Sequence, residues 1–145
     1  MVTTEGTMQL RKVVPAIVLG YVLYVALGYL IHNVWLMPVY RQYAHVWRPE
    51  AVMMRNRWIM LVGQLIGVVA FAWIYRYGVE DKPWAGQGIR YGILMTLLAV
   101  VPSACAQYTV YSIPYTLAVK WMVGGGVQLV ALGLVVAWFC RKQPA

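Results

Sequence analysis

Acid is what this chain lacks most. Only four of its 145 residues are Asp or Glu, and all four, Glu5, Glu50, Glu80 and Asp81, fall outside the long apolar segments that fill most of the sequence. Carboxylates placed within the bilayer are the groups that membrane proton relays most often use. Their shortage argues against the ordinary proton-coupled exporter, which would have to carry its proton on His32 or Lys120. It also argues against hydrolysis, because no paired carboxylate or Ser–His–acid set can be assembled at one depth. No catalytic residue is assigned, and an enzyme is not the expected class.

Cysteine and histidine are also few, with two of each. Cys105 falls in the third apolar segment and Cys140 at the far end of the fourth, so they should lie near opposite membrane faces, too far apart to pair in a monomer. Neither has the neighbours of a metal motif, and both read as small apolar residues. Only His32 lies in an apolar segment, His45 being in a connector. One chain therefore cannot offer two facing imidazoles to a haem, although a dimer could bring two copies of His32 together. Met37, His45, Met53 and Met54 are soft enough for copper(I), but methionine is also ordinary filler in apolar helices. No metal or cofactor is assigned.

What is present in excess is apolar side chain: 62% of residues are hydrophobic and 11% charged, against about 25% charged in soluble proteins. Four spans account for this, at roughly 13–36, 58–75, 89–107 and 116–139. Trp, Tyr or a basic residue flanks each of them, as expected at a membrane–water boundary. Four helices of about 20 residues use nearly the whole length. The expected fold is therefore all-α, a single integral membrane domain over residues 1–145, with four transmembrane helices in an antiparallel bundle. The first span follows Arg11 and Lys12 but is too long for a secretory signal and lacks a small-x-small cleavage site, so it reads as a retained anchor.

Four spans put both termini on one side. Arg11, Lys12, Arg76, Lys82, Arg90, Arg141 and Lys142 would lie there, against Arg41, Arg48, Arg55, Arg57 and the boundary Lys120 on the other. The larger basic set belongs in the cytoplasm. The net charge of +8 fits anionic lipid headgroups and gives no reason to invoke nucleic acid.

Packing in lipid relies on small residues that let backbones approach. Ala16, Gly20 and Gly28 mark such a face on the first span. Gly63 and Gly67 do so on the second, Gly88 and Gly92 on the third, and Gly124, Gly125, Gly126 and Gly133 on the fourth. Gly63–Gly67 and Gly88–Gly92 are both G-x-x-x-G strings, which favour tight packing within the chain or with a second copy. The triple glycine should loosen the fourth helix, and Pro102 should bend the third by freeing a carbonyl near Leu98. Ala72-Trp73 with Arg76 recurs 65 residues later as Ala137-Trp138 with Arg141. Either two hairpins are duplicated, or Trp followed by Arg is simply how these spans end.

Tyr21, Tyr24, Gly28, His32 and Trp35 fall on one stripe of the first helix. That stripe is too polar for lipid and should face the bundle, where Gln64, Lys120 and Gln128 are available. Tyr21, Tyr24, His32, Gln64, Lys120 and Gln128 are thus the candidate ligand-binding set, in a polar pocket of the outer half. Read blandly, the same residues make interhelical hydrogen bonds worth about 0.6 kcal/mol each.

The outer connector, Met37 to Arg57, mixes Tyr40, Arg41, Tyr43, Trp47, Arg48, Arg55 and Arg57 in the manner of a headgroup-zone segment. Tyr108, Tyr111 and Tyr115 would align if their helix continued. On the inner side, Glu80 and Asp81 can be neutralised by Lys82, Pro83 fixes a turn, and Gln87 to Arg90 begin the next helix.

The Gly78-Val79-Glu80-Asp81-Lys82-Pro83-Trp84 loop precedes Gln87-Gly88-Ile89-Arg90-Tyr91-Gly92. With Trp121-Met122-Val123-Gly124-Gly125 and the basic end of the fourth span, it resembles a group of small four-helix bacterial inner-membrane proteins. The resemblance covers about half the chain, from Tyr75 to Arg141. It implies the topology and the bacterial inner membrane, and carries over no catalytic residue.

The leading expectation is a non-enzymatic binding or accessory protein of the inner membrane, with membrane lipids, further copies of itself or a larger complex as partners. A small carrier of a lipid-like or aromatic ligand is the first alternative. A haem or redox subunit using His32 in a dimer is the second.

Overall fold

With almost no charge to interrupt them, the apolar segments form four helical stretches long and apolar enough to cross a membrane: Arg11–Trp35, Glu50–Gly78, Trp84–Val110 and Tyr115–Cys140. The computed structural model describes the backbone of residues 4–141 and the side chains of residues 11–141. The side chains of Glu5 and Lys142, which enter the charge reading, lie outside the described residues. Helix α1 (Thr4–Tyr29) opens into a wide π turn, Leu30–Trp35, and is followed by the short α2 (Met37–Gln42) and a 3₁₀ turn, Ala44–Val46. Helix α3 (Glu50–Tyr75) leads to α4 (Trp84–Met95), which continues through a second π turn, Thr96–Val100, into α5 (Val101–Val110). Helix α6 (Tyr115–Cys140) closes the bundle. The bundle therefore has a connector end, at 36–49 and 111–114, and a terminal end, at 79–83 and the start of α1.

Three local features could not be read from the sequence. The second helix begins at Glu50, not near 58. Pro49 stands extended at its N-cap and its carbonyl accepts from Val52 and Met53 N–H at 2.9 and 3.1 Å. The last part of the expected connector, through Arg55 and Arg57, is thus helical, since a helix can continue beyond the bilayer wherever its own backbone bonds are kept. The triple glycine does not interrupt α6, which is a single 26-residue helix. Its glycines are recesses instead: an added Cβ would meet Ile31 at Gly124 (2.8 Å), Val100 at Gly125 (2.6 Å) and Thr96 at Gly126 (3.4 Å). Lastly, α5 stops at Val110 and the chain runs extended from Tyr111, so Tyr108, Tyr111 and Tyr115 share no continuous helix.

Both π turns lie against that glycine run. In the second, Val101 N–H bonds to the Thr96 carbonyl five residues back, a wider loop that shifts the ladder just before Pro102, which has no N–H to give. The turn at Leu30–Trp35 begins 66 residues before the one at Thr96–Val100. In addition, the guanidinium of Arg76 covers the Trp73 ring at 4.4 Å, as that of Arg141 covers Trp138 at 3.9 Å. Both features repeat at close to the 65-residue offset of the Ala-Trp-x-x-Arg strings.

The tightest seam is between α4 and α6. A Cβ on Gly92 would lie 2.5 Å from Val130 Cα, one on Gly88 would lie 2.7 Å from the Gly133 carbonyl oxygen, and one on Gly133 would collide with the Gly88 carbonyl. No described residue has a positive φ, so these glycines supply room, not turn geometry. Around the seam, Val13, Ala16, Val68, Phe71, Ala72, Leu132 and Val136 make the buried core of the terminal end. Tyr91 wedges there between Phe71 and Tyr75, with ring centroids at 4.5 and 5.1 Å, and its hydroxyl donates to the Phe71 carbonyl at 2.7 Å.

Candidate ligand cleft

Above that wedge, α3 rests on α1 and has no packed interface with α5. The two helices part, leaving a cavity of about 770 Å³ walled by α1, α3, α4–α5 and α6. This is within the range of small-molecule sites, roughly 300–1,000 Å³. The opening exists because the facing residues are small: Gly63, Gly67 and Ala70 on α3, Ala99 and Ser103 across from them.

Helical spacing explains how the lining is delivered. Trp121, Gly125, Gln128, Leu129 and Leu132 fall on one face of α6, and Met60, Gly63, Gln64, Gly67, Phe71 and Ile74 on one face of α3. Because neighbouring helices are antiparallel, the polar members gather at one level. Tyr24, His32, Gln64, Ser103, Gln107 and Gln128 occupy the middle and connector end, while Val68, Phe71, Ile74, Met95 and Leu132 fill the terminal end. Among the described residues, no Asp, Glu, Lys or Arg lines the cavity.

The six candidate residues are not all brought together. Tyr24, His32, Gln64 and Gln128 line the cavity. Tyr21 does not: its hydroxyl donates to the Leu61 carbonyl at 3.0 Å and ties α1 to α3. Lys120 sits instead with its ammonium 6.0 Å from the Trp35 ring centroid. Trp35 is not part of the lining and lies instead beside Gly124 and Lys120 of α6.

Gln128 is buried, 5% exposed, and its Nε2 donates to the Tyr24 backbone carbonyl at 3.0 Å. That bond fixes the amide, because only the nitrogen can donate to a carbonyl. The oxygen Oε1 is then left without a donor among the described residues. Gly28 makes the room: a Cβ there would come within 3.0 Å of Gln128 Nε2. Gln64 likewise makes no hydrogen bond to another described residue, whereas Gln107 Nε2 donates to Ser103 Oγ at 3.1 Å.

Tyr40 and Trp121 were not among the candidates, yet they close the connector end of the cleft. Trp121 Nε1–H donates to the Tyr40 hydroxyl oxygen at 2.7 Å, and that hydroxyl lies 2.6 Å from His32 Nδ1. An indole N–H can only donate, so the Tyr40 hydrogen remains available to His32 Nδ1 in the tautomer that leaves that nitrogen unprotonated. His32 and Tyr40 rings stack with an interplanar angle of 7°. Trp47 packs edge-on against Tyr40 at 5.4 Å and its Nε1–H donates to the Tyr40 carbonyl at 3.2 Å. Burial pushes the Tyr40 phenol above its ordinary pKa, with the Trp121 hydrogen bond working against that. The headgroup-like connector is thus partly folded onto the bundle, over buried Leu36, Ile113 and Leu117. Trp121 could have been found from its spacing to Gly125 and Gln128, since the three share one helical face.

Both cysteines are free thiols. Among the described residues, no three His, Cys, Asp or Glu side chains are grouped to hold a metal ion. Compared with family models, with curated proteins and with solved structures, the chain finds no match.

Proposed function

We propose that this is a binding protein of the bacterial inner membrane that takes an amphipathic, lipid-like ligand sideways from the bilayer into the cleft between α3 and α5. The observation that carries the reading is the uneven polarity of the cavity, whose hydrogen-bonding side chains stand among apolar ones at the middle and connector end while the terminal end is apolar. A tail and a head sort themselves along such a cavity without any charge. The excess of Lys and Arg on the terminal side, seven against five by sequence, favours that side as cytoplasmic. The ligand head would then face the periplasmic half. A reporter fused after Ala145 should remain in the cytoplasm, and its export would reverse this assignment.

The reading is tested by labelling the purified protein with a photoactivatable single-chain amphiphile and mapping the adducts. They should concentrate on 60–74 and 95–107. Adducts spread evenly around the bundle would refute it. One observation supports a competing occupant: Gly63 and Gly67 have nothing within 4 Å, so a helix of a second copy or of a larger complex could grip the same edge. In that case the protein would migrate as an oligomer in mild detergent, and Gly67→Leu would turn it into a monomer.

A further inference from the structure

We infer that the ligand carries a neutral, hydroxyl-bearing head, seated at Gln128 and Tyr24; this inference rests on the cleft-binding reading above. Three observations lead to the head chemistry. First, nothing on the cavity wall can pair with a formal charge, since among the described residues no Asp, Glu, Lys or Arg lines it. An ionised head would therefore give up water without gaining a counter-charge. The imidazole of His32 is already engaged through Nδ1 with Tyr40, and the nearest cation by sequence position, Lys120, lies over Trp35.

Second, Gln128 lines the cavity, is nine-tenths buried, and has an acceptor, Oε1, that no described residue satisfies. An amide oxygen in that position calls for a donor. Third, Tyr24 also belongs to the lining, and its hydroxyl makes no hydrogen bond to another described residue. Together the two side chains offer one acceptor and one donor. A hydroxyl both gives and receives a hydrogen bond, whereas an ester or ether oxygen only receives one. Long-chain alcohols, acylglycerols and polycyclic or isoprenoid alcohols have this chemistry; phospholipids and fatty-acid anions do not. Gln64, on the open wall formed by α3, can complete the shell from the other side.

The experiment is competition for the cleft labelling by a diazirine-bearing C18 alcohol, with the full chain in phosphatidylcholine nanodiscs. The competitors share one chain and differ in head: oleyl alcohol, methyl oleate, oleyl sulfate and oleyltrimethylammonium. Oleyl alcohol should compete about tenfold better than the other three, the effect of one buried hydrogen bond. Gln128→Leu should abolish its advantage over the methyl ester, and Gln64→Leu, which breaks no bond among the described residues, should reduce it about threefold if Gln128→Leu does not fold. Equal competition by alcohol and ester, or preference for either charged head, overturns the inference while leaving an amphiphile site in place. Absence of any cleft labelling overturns this inference and the cleft reading together.

Discussion

Gly88 and Gly92 lie against the backbone of α6, whereas Gly63 and Gly67, at the same spacing in α3, have nothing within 4 Å of where a Cβ would stand. The two strings are the same motif with opposite outcomes. What differs is the opposing surface and the wedge beside it. Opposite Gly88 and Gly92 the chain offers Gly133 and Ala137, two shallow helices that can sink into each other. One turn beyond Gly67 and two beyond Gly63, toward the terminal end, stands Tyr91, held to the Phe71 carbonyl and edge-packed on Phe71 and Tyr75, which props α3 away from α4. A small-residue stripe permits close packing. A matching stripe across from it and the absence of a prop decide whether packing happens.

The contrast breaks most readily at the closed seam. Gly133→Val should cost about 3 kcal/mol or more, because its branched side chain meets backbone, which cannot yield as a side chain can. Reversible unfolding in mixed detergent would measure it, and a loss under 1 kcal/mol would mean the seam is looser than drawn. Next is the loop that joins α3 to α4 at the same end. Gln87, 7% exposed, accepts from Glu80 N–H at 2.9 Å and donates to the carbonyls of Glu80 and Lys82 at 3.0 and 2.7 Å. Gln87→Leu should cost about 2 kcal/mol by leaving those groups unpaired.

At the open string the sign reverses. Gly67→Leu should leave stability within about 0.5 kcal/mol, the range of a substitution that meets no neighbour, while reducing amphiphile labelling at least fivefold by filling the cleft. If both labelling and stability stay unchanged, the α3 wall is not where the ligand sits.

Much of this difference was beyond the reach of sequence. The four spans follow from the apolar runs and the placement of the acidic residues, and the membrane class with them. That Tyr24, His32 and Gln128 share a cavity wall follows from helical spacing. Tyr21 and Lys120 were misplaced for separate reasons. Tyr21 found a backbone acceptor on α3 that no pattern announces, and Lys120 lies on the Trp35 side of α6. The π turn at Leu30–Trp35 has no sequence mark resembling a proline, so the spacing from Tyr24 to Trp35 gives no sign of it. The second π turn was partly foreseeable, because Pro102 demands some local repair. Glycines are ambiguous in the same way: Gly124, Gly125 and Gly126 read as a weak point, yet they are the recesses that accept Ile31, Val100 and Thr96.

The smallest expected effect concerns pH, and it too separates the closed end from the cleft. Glu80 is exposed, and its hydrogen bonds to Lys82 first and Arg90 second, together with their charges, hold its carboxyl below the usual range. A carboxyl with a depressed folded-state pKa contributes stability above its unfolded value, and that contribution disappears as pH falls through the folded one. Protonation as the pH falls below the usual carboxylate range should therefore release Lys82 and Arg90 and loosen the 79–83 loop. Hydrogen exchange of the Glu80 amide, compared with that of Glu80→Gln at each pH, should show an acid step in the wild type and none in the variant. Labelling of the cleft should pass through the same range unchanged, because no carboxylate among the described residues lines it. An acid step in the labelling as well would mean that the loop at the closed end sets the width of the open one, with α3 moving as a lever about the Tyr91 wedge.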